Sequence, residues 1–385
     1  MVALLCSAVF CLAILLPMTA GLLHIAPAEH LAEATGSPFP AFSWDVLSAR
    51  AVGKALSDGW LDKNFPFRGT LIRWYNYWSA SMFGSLSSNS PVLVGKDGWL
   101  FLARDRTINV LEEDRRSAPL TQAQLERLAR VYTERQAWLA QRGIKYLIVV
   151  APNKDSIYPE FLPASYQTQG PSRLDQVMEY IARHTTLNII DPRPAFLAAK
   201  KHTRLFYATD SHWNADGAFL CYQLVMERLR KDFPALAPMD ASEFFSEEYP
   251  FLGGDLAYMA GLEDMVTENK RVFIPKIPMS ARGMSTGREK PGYYQPAQAS
   301  VVEGKNLPRA VFFHDSYFWD MLPFLGEHFS WTVSVWVRPN EQGPSIFDKD
   351  LILEEKPDVV VEQIAERFFV HLPSDSEKPA QEKAQ

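Results

Sequence analysis

Cysteine is scarce in this chain. Of three in 385 residues, Cys6 and Cys11 sit in an apolar N-terminal run and Cys221 in a helical pattern. They form no CxxC pair and no disulfide framework, so they neither require nor forbid an oxidising compartment. Several chemical signatures are also missing. There is no HExxH zinc helix, no GxGxxG after a strand and no Walker lysine loop. The one GxSxG, Gly283-Met284-Ser285-Thr286-Gly287, lies in an aperiodic stretch with no strand-to-helix pattern around it, so a standard α/β-hydrolase elbow is not expected. His24, His30, His184, His202, His328 and His371 are scattered without ligand spacing, so neither a metal nor a cofactor is expected. Positive charge is in the minority, with 39 basic against 45 acidic residues and a net charge of −6. A chain-wide basic field is therefore absent, and no nucleic-acid partner is expected.

What is present begins with an uncharged N-terminus. Residues 1–25 hold no Asp, Glu, Lys or Arg, and Pro17 interrupts them. About 20 apolar residues span a bilayer, whereas signal-peptide cores run to about 7–15. We read residues 1–25 as an uncleaved signal anchor, a transmembrane helix tying the chain to the membrane. The catalytic part would then face a periplasm-like space. A cleaved signal would leave a soluble periplasmic protein, and Thr19-Ala20-Gly21 offers a small-residue site for it. A buried soluble helix is the third reading. No Lys or Arg precedes Arg50, so the usual orientation signal is missing.

Residues 26–60 read as a linker, residues 61–372 as one folded domain and residues 373–385 as a polar, disordered tail. An apolar fraction of 47% supplies a core for a domain of that size. Trp74, Tyr75, Tyr77 and Trp78 recur at roughly helical spacing, and core packing is their expected use, ahead of a saccharide platform. Residues 91–102 read as a hairpin turning at Gly95-Lys96-Asp97-Gly98. Thr121 to Gln124 forms a capping box for a helix ending near Gly143. Strands are expected at 145–151, 187–190, 310–313, 331–337 and 358–361, with helices at 172–183, from Asn214 to 229 and up to 369. Such alternation predicts an α/β fold, a mostly parallel sheet flanked by helices. The stretch 276–308 carries Pro, Gly, Ser and basic residues with little periodicity, and is expected to be a functional or disordered loop.

Two distant segments carry the chemistry. Asp210-Ser211-His212-Trp213 sets a carboxylate two residues before an imidazole. His314-Asp315-Ser316-Tyr317 sets a serine just beyond a buried strand. In open α/β sheets, ligands gather at the carboxyl ends of strands, where Ser316 should be presented. A serine hydroxyl is a poor nucleophile until a base takes its proton. The expected roles are Ser316 as nucleophile, His212 as general base and Asp210 as the group that orients His212. His314 could act as a second base, but Asp210 marks out His212.

Asp210-Ser211-His212-Trp213 with Asp315-Ser316-Tyr317 resembles the SGNH-hydrolase-like domain of the alginate O-acetyltransferase family, AlgJ and AlgX. Residues 94–101, Ala151-Pro152-Asn153-Lys154, Ile157-Tyr158-Pro159-Glu160 and Gly253-Gly254-Asp255-Leu256 resemble it too. The resemblance spans residues 60–370. It implies an SGNH-like fold and a triad whose acid and base precede the serine. It also implies export, an inner-membrane, periplasm-facing location, and acetyl transfer onto the hydroxyls of a polysaccharide acceptor. The donor partner it implies is a membrane acyl carrier protein of the MBOAT type, with no acetyl-CoA at the site. His314 departs from the pattern, since SGNH proteins usually have Gly there. The Ser316 N–H is the natural oxyanion donor, with the Gly254 N–H and the Asn153 side chain as further candidates. Gly253-Gly254 also reads as a tight turn. A carbohydrate esterase with the same triad and a non-catalytic scaffold of a secretion complex are the rival readings.

Overall fold

The computed structural model describes residues 68–106, 108–111, 119–166, 170–304, 306–337 and 346–370. The expected anchor at 1–25, the linker at 26–60 and the tail at 373–385 lie outside them. Among the described residues, no helix is long and apolar enough to cross a membrane. The chain divides into two units, residues 1–87 with 260–262, and residues 88–259 with 263–385.

In the first unit, α1 (Arg68–Phe83) carries the aromatic cluster. Core packing does not hold there. Trp74, Tyr75 and Trp78 are exposed, while Tyr77 meets Trp74 and Trp78 edge-on. At about 100° per residue, the four rings spread too widely for one buried stripe.

The second unit opens with the expected hairpin, β1 (Val92–Val94) and β2 (Leu100–Leu102). Its turn puts Asp97 and Gly98 at φ 55° and 78°, the left-handed region that Gly and Asp tolerate best. Then follow α2 (Gln122–Ala140), β3 (Lys145–Ala151), α3 (Lys154–Ile157), α4 (Arg173–His184), β4 (Ile189–Ile190), α5 (Arg193–Ala199) and α6 (Ala215–Leu229). Thr121 and Ser172 both close capping boxes, and Asn214 caps α6 through its side chain. After these come β5 (Phe244–Leu252), α7 (Asp255–Met259), β6 (Thr267–Pro275), β7 (Arg282–Ser285), β8 (Gln298–Val301) and β9 (Arg309–His314). The chain continues through α8 (Leu322–Gly326), β10 (Trp331–Trp336), α9 (Lys349–Glu355), β11 (Val359–Ala365) and α10 (Glu366–Phe369).

Seven strands form one sheet in the order β4-β3-β11-β9-β10-β8-β7. The first five are parallel, and β8 and β7 add an antiparallel edge. The stretch 276–308 is thus not merely a loop, because it supplies both strands of this antiparallel margin. Their short, small-residue sequences carry too little apolar alternation to be read. The long β5–β6 hairpin was equally silent in the sequence, since its side chains are mostly exposed.

Period-two alternation builds the two cores. Leu147, Val149, Phe312 and Val361 face one side, with Phe219, Tyr222 and Val225 of α6. Tyr146, Ile148, Val311, Phe313 and Val360 face the other, with Leu128 and Tyr132 of α2, Val177 and Ile181 of α4, and Ile352 of α9. Both faces are covered, as a parallel sheet requires.

Candidate active site

Ser316 begins a 3-10 helix (Ser316–Asp320) immediately beyond the carboxyl end of β9. Asp315 builds the turn. Its carboxylate accepts the Tyr317 N–H at 3.0 Å and the Ala365 N–H at 2.6 Å, and its own N–H donates to Gln363 Oε1 at 3.2 Å. The nucleophile turn is therefore pinned to β11. Burial pushes the Asp315 carboxyl above its ordinary value, against the opposing charge of Arg367. The Ser316 N–H has no hydrogen bond to another described residue.

His314 is fully buried just before this turn. Its Nδ1–H donates to the Asp315 carbonyl at 2.7 Å, and its Nε2 accepts from Ser334 Oγ at 2.8 Å. Burial lowers its pKa to about 4. It is a neutral ring with both nitrogens engaged, so it does not compete for the Ser316 proton.

The second segment arrives on a loop between Phe206 and Trp213, which pair as an antiparallel bridge. Gly217 lets α6 start hard against this bridge, because a Cβ there would strike the Leu205 carbonyl. Trp213 is fully buried and anchors the loop's far end. Four groups fix the loop itself. Buried Lys154 donates from Nζ to the carbonyls of Tyr207, Ala208 and Asp210 at 3.1, 3.0 and 2.8 Å. Glu268 of β6 accepts the N–H groups of Ala208 and Thr209 at 2.9 and 3.0 Å, and also the Thr209 hydroxyl. Asp255 accepts the Ser211 N–H at 2.6 Å and its hydroxyl at 2.5 Å. Tyr317, next to the serine, donates its hydroxyl to the Ser211 carbonyl at 2.8 Å and so joins the two segments.

The result is a linear relay. Asp210 Oδ1 lies 2.7 Å from His212 Nδ1, and His212 Nε2 lies 2.7 Å from Ser316 Oγ. A carboxylate only accepts, so Nδ1 carries the hydrogen and Nε2 is left to accept from the serine hydroxyl. Asp210 also accepts the N–H groups of His212 at 2.9 Å and Asp255 at 3.1 Å. Burial would raise the Asp210 pKa, but the hydrogen bonds and charge of His212 hold it well below the carboxylate range. Burial would likewise lower the His212 pKa, but Asp210, helped by the charge of Asp255, raises it above the ordinary value.

Asp210, His212 and Asp255 place one ligand atom each within 4.8 Å of one another, close enough to hold a cation. Their donor atoms are already spent within the protein. His212 Nδ1 is bonded to Asp210, and both Asp255 oxygens are bonded to Ser211.

The structure thus gathers Asp210, His212 and Ser316. The Gly254 N–H donates to Thr209 Oγ1 at 3.0 Å, which commits it away from an oxyanion. Gly254 instead gives close approach, since any Cβ there would overlap the Asp210 side chain. Asn153 is buried, and its N–H donates to Glu366 Oε2 at 2.8 Å. Residue-by-residue reading missed the supporting roles of Lys154, Asp255, Glu268 and Tyr317. The runs ending in Lys154 and containing Asp255 stood out in the sequence, but nothing local said what they would touch.

Curated relatives match part of the chain. A probable alginate O-acetylase AlgJ of Pseudomonas aeruginosa is 30% identical over 181 residues, covering 45% of this chain and 42% of that protein. The Pseudomonas syringae protein of the same name is 29% identical over 264 residues, covering 66% and 58%. This chain spans 42 to 58% of the length of the curated relatives it matches. In fold it is similar to Bacillus cereus PatB1, with a TM-score of 0.54 at 16% identity over 73% of this chain and 97% of the other. Residues 92–302, more than half of the sequence, match the family described as SGNH hydrolase-like domain, acetyltransferase AlgX, and the chain belongs to that family.

Proposed function

We propose that this protein is an O-acetyltransferase that moves acetyl groups, through an acyl-serine, onto hydroxyls of an extracytoplasmic polysaccharide. The observation that carries the proposal is the pair of 2.7 Å contacts running from Asp210 through His212 to Ser316. The names of the curated relatives support O-acetylation of a polysaccharide as the reaction class.

The steps follow from the geometry. Ser316 Oγ attacks the carbonyl carbon of a donor acetyl ester while its proton passes to His212 Nε2. Asp210 holds the ring in the tautomer that leaves Nε2 open and stabilises the imidazolium that forms. The oxyanion meets the free Ser316 N–H. As the tetrahedral centre collapses, His212 returns the proton to the departing alcohol, and acetyl remains on Ser316. An acceptor hydroxyl then gives its proton to Nε2 and attacks the acyl-serine. Collapse releases the new ester, and the proton goes back to Ser316 Oγ.

The acetyl donor on this reading is a membrane acyl carrier of the MBOAT type. The protein acts on the periplasmic side of the inner membrane, held by residues 1–25 or freed by their cleavage. Incubation with an acetyl ester and a polysaccharide acceptor tests the reaction. Acetylated polymer is expected, and free acetate alone would instead indicate an esterase. Ser316→Ala should lower ester turnover by about 10⁴-fold or more. Unchanged turnover would leave only a scaffold.

A further inference from the structure

The sheet face that carries α6 changes character as it crosses from β9 to the antiparallel edge. In register across the strands, Val361 and Phe312 lead to Ser334 and then Gln298. One pleat away, Val359 and Ala310 lead to Thr332, Ser300 and Gly283. Residues paired in this way share a face. A helix-covered face is ordinarily apolar throughout. Here the apolar rows give way to a bed of hydroxyls, an amide and a glycine.

A cavity of about 260 Å³ stands over that bed, walled by Trp319, Leu322 and Pro323. No Lys, Arg, His, Asp or Glu lines it. Ser300 and Thr332 hydrogen-bond to each other at 2.7 Å, so together they keep acceptor capacity for a guest. Ser334 donates to His314 and keeps lone pairs free to accept. Gln298 is exposed and offers its amide at the rim.

The cavity adjoins the nucleophile turn. Trp319 lies three residues after Ser316 in the same 3-10 helix, about 6 Å along its axis. Its ring meets His314 edge-on at 5.3 Å and Trp336 at 5.7 Å. Tyr294, exposed, stacks on Trp336 at 4.2 Å and carries the aromatic strip outward.

We propose that this cleft holds the acceptor sugar and that it takes an uncharged hexopyranose unit rather than a uronate. The inference rests on the acetyl-transfer reading above. The hydroxyl bed suits ring hydroxyls, and Trp319 offers the aromatic surface on which an apolar sugar face packs. A uronate carboxylate would lose its hydration there and find no cation in exchange. The acceptor would then differ from a polyuronate such as alginate.

The test uses the full chain. Titration calorimetry measures binding of a β-1,4-linked glucose hexamer and of a uronic acid hexamer. The neutral hexamer should bind at least about tenfold more tightly. Trp319→Ala should weaken its binding by about tenfold, with Trp319→Phe retaining most of it. Equal or tighter binding of the uronate, no binding of either hexamer, or an unchanged Kd in folded Trp319→Ala would overturn the proposal. Should Trp319→Ala fail to fold, the two-hexamer comparison on the unaltered protein decides. Hydrolysis of p-nitrophenyl acetate by the unaltered protein is read separately. Hexamer preference without ester turnover supports the cleft and counts against the catalytic reading. Ester turnover without hexamer preference does the reverse.

Discussion

The imidazole of His212 has to be neutral to take the Ser316 proton, and its surroundings oppose neutrality. Burial favours the neutral ring, but Asp210 and Asp255 together favour the charged one more strongly. On the proposed mechanism, log kcat/KM should climb with unit slope as pH rises through the His212 pKa, then level off. The midpoint should lie above the ordinary histidine value of 6.5. A pH–rate profile with its midpoint at or below that value would contradict the assignment. Gly254 sits on the other side of the same carboxylate. Its lack of a side chain gives Asp210 its place, so Gly254→Ala should displace the carboxylate and cost about 10²-fold in kcat while the fold persists. Steady-state kinetics beside a circular dichroism melt checks both halves. The role of Gly254 was not legible locally. Gly253-Gly254 reads as a turn, and an alanine-sized clash with a residue 44 positions upstream cannot be seen along the chain.

At the scale of elements, the pieces near the site are clamped across the sheet. Glu362 is buried in β11 on the face opposite Ser316's support. It pairs with Arg135 of α2 and accepts the Tyr146 hydroxyl of β3 at 2.5 Å. Removing Arg135 takes the cation from a fully buried carboxylate and leaves it the Tyr146 hydroxyl. Arg135→Met should therefore destabilise the protein by about 3–5 kcal/mol, measured by urea denaturation, and a loss below about 1 kcal/mol would refute the clamp. The helices themselves were readable because their ends are spelled out locally. Thr121 with Gln124, and Ser172 with Asp175, close their capping boxes within four residues. Strands β3, β9, β10 and β11 were readable from dense β-branched and aromatic runs. The β5–β6 hairpin and the strands β7 and β8 were not, because strands that are mostly exposed or only four residues long carry no hydrophobic period to detect.

For the whole molecule, one buried cation sets a pH signature. Lys154 lies in the interior with its Nζ among three carbonyls, and burial pushes its pKa down from 10.5 to about 7. The unfolded chain keeps that proton up to the ordinary value, so between about 7 and 10.5 the unfolded state binds more protons than the folded one. Stability from this group must then rise with pH across that window and be lost as pH falls through about 7. The difference in unfolding free energy between the native protein and Lys154→Met should grow from pH 7 to pH 9 in favour of the native protein. A constant or shrinking difference would show that Lys154 titrates elsewhere.

The amino-acid sequence determined the alternation of strand and helix, the helix caps and the two-sided burial of the parallel strands. These follow from side-chain periodicity and from contacts a few residues apart. It also singled out Asp210, His212 and Ser316, because a carboxylate, an imidazole and a strand-terminal serine are recognisable one at a time. Only the tertiary structure decided that His212 and Ser316, 104 residues apart, come within hydrogen-bonding reach. It alone enlisted Lys154, Glu268 and Asp255 to hold the loop, and left polar residues rather than a core beneath Trp319. Such outcomes depend on how the sheet orders its strands and on which distant groups satisfy a buried polar backbone. No local pattern of residues encodes either.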